Sequence, residues 1–347
     1  MKHVILAETS QKIRNMGLMC AMLVVSIHVA WPHDEPLSAG WFVFHGLKGG
    51  YAGIAVPFFF MASGFFLSMH FDENGWWARE AGKRVKSLVV PYVIWSVIAL
   101  AAALCLYMVS DHVDHLPFGT SIRPLLDNLW LKLFGFDFTD VPFLAPLWYV
   151  RCLIVFVFLS KLFKYVVGRF GWLWLMSAFA FYMASGYIPD ETCRDVFRGG
   201  FSSLGIFFFS AGVYIGMHGI PRLPRAAFFL SGVAGVALLA VRLLSVYKGW
   251  HCESALSCLY LPLLVYFTWR VMPSTRLPAW LTSCAFPIFL MHSPALGYVG
   301  GFIRYVVSDE LGRRFAAWVL TIVVSIVVTV LLRRFAPRLS IVLFGGR

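Results

Sequence analysis

The chain has 347 residues, of which 60% are hydrophobic and 13% charged, and its mean hydropathy of +0.76 excludes an ordinary soluble globular domain in favour of an integral membrane protein. Its formal charge of +12 does not by itself indicate nucleic acid, because basic residues in a membrane protein first report topology, and no stretch resembles a nucleic-acid recognition motif. The seven cysteines lack CxxC-type spacing, so no metal is expected.

Taken in chain order, apolar runs of spanning length fall at about 16–33, 51–71, 88–109, 145–163, 170–188, 200–218, 226–246, 255–272, 283–301 and 315–334. The expected fold is therefore an all-α integral membrane protein of about ten transmembrane helices, forming a single membrane domain over 1–347 with no separate soluble domain. Lys2, His3, Lys12 and Arg14 precede the first run, but no small-residue cleavage site follows, so that run is read as a retained helix. With the N-terminus inside, the inner segments collect 18 basic and 4 acidic residues and the remainder 11 and 13. This asymmetry predicts that both termini are cytoplasmic. The longest outer connections, Ser110 to Ala145 and Gly186 to Gly199, are rich in Asp, His and aromatic residues, which suits contact with a hydroxylated acceptor or simple interfacial anchoring. Cys193 and Cys252 also fall on the outer side, where an oxidising compartment permits a bridge.

Ionisable residues inside apolar runs need a reason, because hydrocarbon solvates them poorly. His28 lies in the first run, MGLMCAMLVVSIHVAW, and His292 in FPIFLMH near the chain's end; either can serve chemistry or be a hydrogen-bonded packing residue. In the second run, VPFFFMASGFF, Ser63 and Gly64 allow close approach of a helix or a ligand. Lys83, Arg84 and Lys86 form a basic cluster before the third, suited to phosphate binding or to topological anchoring. Trp148, Tyr149 and Arg151 open the fourth in PLWYVR, with Arg151 placed to snorkel at the outer edge.

The order of these elements (MLVVSIH, PFFFMASGFFL, KRVKSLVVPYVIW, PLWYVRCL and SCAFPIFLMH) resembles that of the acyltransferase 3 family of membrane-bound O-acyltransferases, from about Arg14 to Pro294. The resemblance implies transfer of an acyl group, commonly acetyl from acetyl-CoA, to hydroxyls of a cell-surface polysaccharide, lipopolysaccharide or glycolipid in a bacterial cytoplasmic membrane. It implies that His28 is the functional histidine and that Arg84 with Lys83 or Lys86 belongs to the donor site. Two departures stand out. The family carries a base eleven positions before the histidine, where this chain has Gly17 and its nearest base is Arg14; its Arg-x-x-Arg motif is here Lys83-x-x-Lys86 or Arg84-x-x-Ser87. Arg14 and position 17 share a helix face, so Arg14 is a candidate replacement.

With that resemblance, the expected mechanism is general-base catalysis in which His28, neutral at rest, takes the acceptor proton. Ser63, a backbone N–H near Gly64 and Tyr149 are candidate oxyanion donors; Trp148, Arg151 and His292 are candidate substrate contacts. An acyl-His28 relay is a variant. The rival readings are a transporter or flippase using the histidines as a proton path, against which the lack of internal repeats counts, and a non-enzymatic membrane scaffold.

Overall fold

The computed structural model describes residues 7–113, 144–188, 201–220 and 224–346 and is all-helical over them. The chain opens with α1 (Ala7–His28), then a short α2 (Ala39–Phe42) that runs through a π turn (Val43–Lys48) and a 3-10 turn (Tyr51–Ile54) into α3 (Ala55–Ser68). An amphipathic α4 (Trp76–Arg84) leads through a second π turn (Val85–Val89) into α5 (Val90–Val113). There follow α6 (Leu147–Phe158), α7 (Ser160–Phe170), α8 (Trp172–Ser185), α9 (Ser203–His218), α10 (Arg225–Lys248) and α11 (Glu253–Val271). The last elements are α12 (Ala279–Thr282), α13 (Ala285–Ile303), α14 (Glu310–Phe335) and α15 (Pro337–Phe344).

Among the described residues, six helical stretches are long and apolar enough to cross a membrane: Ala39–Ser68, Trp76–Cys105, α10, α11, α13 and α14. The α7–α8 pair adds a seventh if its 117° bend is counted within one span. The ten apolar runs of the sequence do not all become helices of spanning length. Helix α6 has 12 residues and α9 has 16, or about 18 and 24 Å at the standard rise, short of a bilayer core of about 30 Å. The α7–α8 corner falls at Gly171, whose φ of 51° lies in the region that glycine enters without a Cβ penalty.

Small residues permit a close helix crossing. A Cβ on Gly64 would lie 2.2 Å from the Phe209 carbonyl oxygen, and one on Gly212 would lie 1.9 Å from that of Met61, so α3 and α9 meet backbone to backbone, as membrane helices do where glycine permits. The packing reading of the Ser63–Gly64 pair is thus realised at Gly64. A second seam joins α1 to α13. Leu18, Ala21 and Val25, at helical spacing on one face of α1, pack on Cys284 and Ile288. Continuing both faces by one turn brings His28 to His292.

Candidate active site

Helix α1 ends at His28, and the side chain of Trp31 reaches back to its last turn. Trp31, almost wholly buried, donates its indole N–H to the Ser26 carbonyl at 2.8 Å, satisfying one of the acceptors a helix end leaves open. The same indole packs edge-on against Phe315 of α14, with centroids 4.8 Å apart. Lys48, from the first π turn, donates to the Val29 carbonyl at 3.2 Å, and its charge lies within electrostatic reach of His28.

His28 itself is exposed at the helix terminus, and its ring packs against that of His292 at a centroid separation of 4.8 Å and a tilt of 47°. His292 is fully buried and its Nδ1 lies 2.6 Å from the Phe289 carbonyl. A carbonyl only accepts, so the proton of the neutral ring sits on Nδ1 and the lone pair on Nε2. That Nε2 is buried and has no hydrogen-bond partner among the described residues. One imidazole is thus reachable while its neighbour has a fixed tautomer.

Aromatic rings extend from this pair. Phe289 contacts His292 at 6.0 Å and Tyr149 at 5.4 Å; Tyr149 contacts Phe60 at 4.7 Å, and Phe60 contacts Trp148 at 6.4 Å. Tyr149 is therefore brought into the histidine neighbourhood and Trp148 to its margin. Ser63 is half-buried on α3, one turn beyond Phe59, and makes no hydrogen bond among the described residues. Arg151 is buried, at 5% exposure, instead of snorkelling at an edge; it enters the bundle near Tyr92 of α5.

The basic residues lie at the opposite end. Arg14 is about 21 Å from His28 along α1 and is exposed, whereas its neighbour Asn15 is buried and donates to the Pro273 and Thr275 carbonyls, each at 2.9 Å. A Cβ on Gly17 would meet nothing within 4 Å, so the position that departs from the family pattern borders open space. Within the cluster, Lys83 Nζ binds Glu80 at 2.7 Å and Arg84 lies 3.8 Å from the same carboxylate, which is almost fully buried. Lys86 is exposed in the second π turn.

The acyltransferase domain of one family matches residues 16–334. The chain belongs to the acyltransferase 3 family. No curated protein and no solved structure matches it. Membership supports an acyl-transfer function and, with the apolar helices, an integral membrane protein. In this acyltransferase 3 chain the sequence reading missed four groups that flank the site residues. Asn15 and Glu80 sit beside Arg14 and the basic cluster; Lys48 sits beside His28; Arg242 of α10 donates to the His45 carbonyl at 2.9 Å. The signal for the last two was available, since each is a cation within or at the edge of an apolar run. Cys193 lies outside the described residues; Cys252 Sγ is 3.0 Å from Ser245 Oγ.

Proposed function

We propose that the protein transfers an acyl group, acetyl in the first instance, from cytoplasmic acyl-CoA to a hydroxyl of a cell-surface polysaccharide, lipopolysaccharide or glycolipid precursor. The reading is supported above all by the imidazole pair, in which an exposed His28 packs on a buried His292 with its proton held on Nδ1. A lone pair at Nε2 of His292 suits it to accept an N–H from His28 and so leave the other His28 nitrogen free as a base. His292 would then be a positioning residue.

In the reaction, a His28 nitrogen takes the proton of the acceptor hydroxyl as that oxygen attacks the thioester carbonyl. The tetrahedral oxyanion that forms needs a donor or cation; Lys48, which binds the Val29 carbonyl, and Tyr149 are candidates. Collapse forms the ester, breaks the carbon–sulfur bond and returns the proton from the imidazolium to the departing thiolate. With the N-terminus in the cytoplasm, Arg14, Lys83, Arg84 and Lys86 sit on the side where acyl-CoA is found, and their cations suit its phosphates. About 21 Å of helix separates Arg14 from His28, so the long pantetheine arm would have to run along the bundle.

Detergent-purified protein incubated with radiolabelled acetyl-CoA and the polysaccharide of the host surface tests this. Label transfer is expected. Uptake of a glycan that needs no CoA would support the transporter reading instead.

A further inference from the structure

A cavity of 310 Å³ opens at the bundle end that carries the first turn of α9 and of α11, and its wall includes Trp148, Tyr182, Ser203, Arg242, Glu253 and Ser257. Its volume is at the lower end for ligand sites, about 300–1,000 Å³, large enough for a sugar ring and too small for a polymer. The wall combines three kinds of group. Serine hydroxyls donate and accept, and two of them are pre-arranged by the 2.7 Å Ser185–Ser203 contact. The Arg242 guanidinium is held through Nη1 on the His45 carbonyl at 2.9 Å, with Glu253 as an acceptor in the same wall. Trp148 and Tyr182 add aromatic rings to the wall. One cation beside one carboxylate disfavours a phosphate or a polyanion, whereas paired donors and acceptors beside aromatic rings match a neutral polyhydroxylated ring.

Position narrows the role. Trp148 lines the cavity, yet Phe60, Tyr149 and Phe289 intervene between it and His292, so a ring held there is not the one presenting its hydroxyl to His28. Resting on the acyl-transfer reading above, we infer that this cavity is a distal subsite for a neutral glycosyl unit of the acceptor, a few residues along the chain from the unit that is acylated. Such a subsite adds affinity for longer acceptors without touching the reacting atoms.

The test uses the full-length protein, surface polysaccharide purified from a strain lacking the gene, and size fractions of its partial hydrolysate. Ser257→Trp fills the cavity, Ser257→Ala keeps it open, and Arg242→Gln removes the fixed cation; binding of radiolabelled acetyl-CoA is measured on each. Wild type is expected to favour longer fragments in kcat/KM by about tenfold or more, and Ser257→Trp and Arg242→Gln to lose that preference through a raised acceptor KM. Acetyl-CoA binding stays at the wild-type level, and Ser257→Ala, which removes one hydroxyl but leaves the space, loses less of the preference than Ser257→Trp. If Ser257→Trp loses acetyl-CoA binding, its fold has failed and Arg242→Gln decides. An active wild type whose length preference and acceptor KM survive in both variants overturns the subsite. A wild type that neither binds acetyl-CoA nor transfers label overturns the acyl-transfer reading itself.

Discussion

His292 and Gly17 are the residues at which the account is most exposed. If His292 only orients His28, His292→Ala should lower kcat by about tenfold, less than loss of a general base, which is typically worth about 10² to 10⁴-fold; kinetics on purified variants checks this, and a larger loss than in His28→Ala would move the base to α13. Arg14 and position 17 share one face of α1, and a Cβ at Gly17 meets nothing within 4 Å. Arg14→Ala should therefore raise the KM for acyl-CoA, and adding Gly17→Arg should lower it again. A double variant no better than Arg14→Ala makes Arg14 a surface anchor. Both histidines were legible in the sequence because an ionisable group in an apolar run stands out. Their meeting was not, since it depends on the register between α1 and α13. Of the two readings of Arg151, snorkelling suited its place near the start of a run, but the fold turns it inward to 5% exposure.

Among the elements, the α3–α9 crossing and α4 behave differently. Gly212→Ala forces a Cβ to 1.9 Å from the Met61 carbonyl oxygen and should cost about 1–3 kcal/mol or more as overpacking, read as a lowered Tm in detergent. Gly297→Ala, where nothing lies within 4 Å, should leave Tm unchanged or slightly raised. In α4 the buried Glu80 binds Lys83 and lies near Arg84, so the cluster offers less free charge than three adjacent cations suggest. Replacing Lys83, Arg84 and Lys86 by Gln should raise the acyl-CoA KM more than it lowers kcat, as steady-state kinetics would show. An unchanged KM leaves the cluster with topology alone. The apolar runs were legible, and so were most helix positions. What hydropathy could not show is where a helix breaks: α6 stops at Phe158, and α7 meets α8 at 117°, because a break at Leu159 or Gly171 hardly changes mean hydropathy.

For the whole molecule the basic asymmetry of the sequence gives an orientation that labelling can check. A cysteine at Arg79, in an otherwise cysteine-free background, should react with an impermeant maleimide from the cytoplasmic side alone. In that orientation the proposed donor-site cations would lie inside and His28 toward the outer surface, with about 21 Å of α1 between Arg14 and His28. Family membership supports an acyl-transfer function, and the histidine pair is the proposed place for that chemistry in the fold. The most direct test of this account is mass spectrometry of surface glycans from cells that carry wild type or His28→Ala at equal membrane insertion. An acyl group is expected on the wild-type glycan, reduced by about a hundredfold or more in His28→Ala; acylation that persists at the wild-type level in correctly inserted His28→Ala would contradict a catalytic His28.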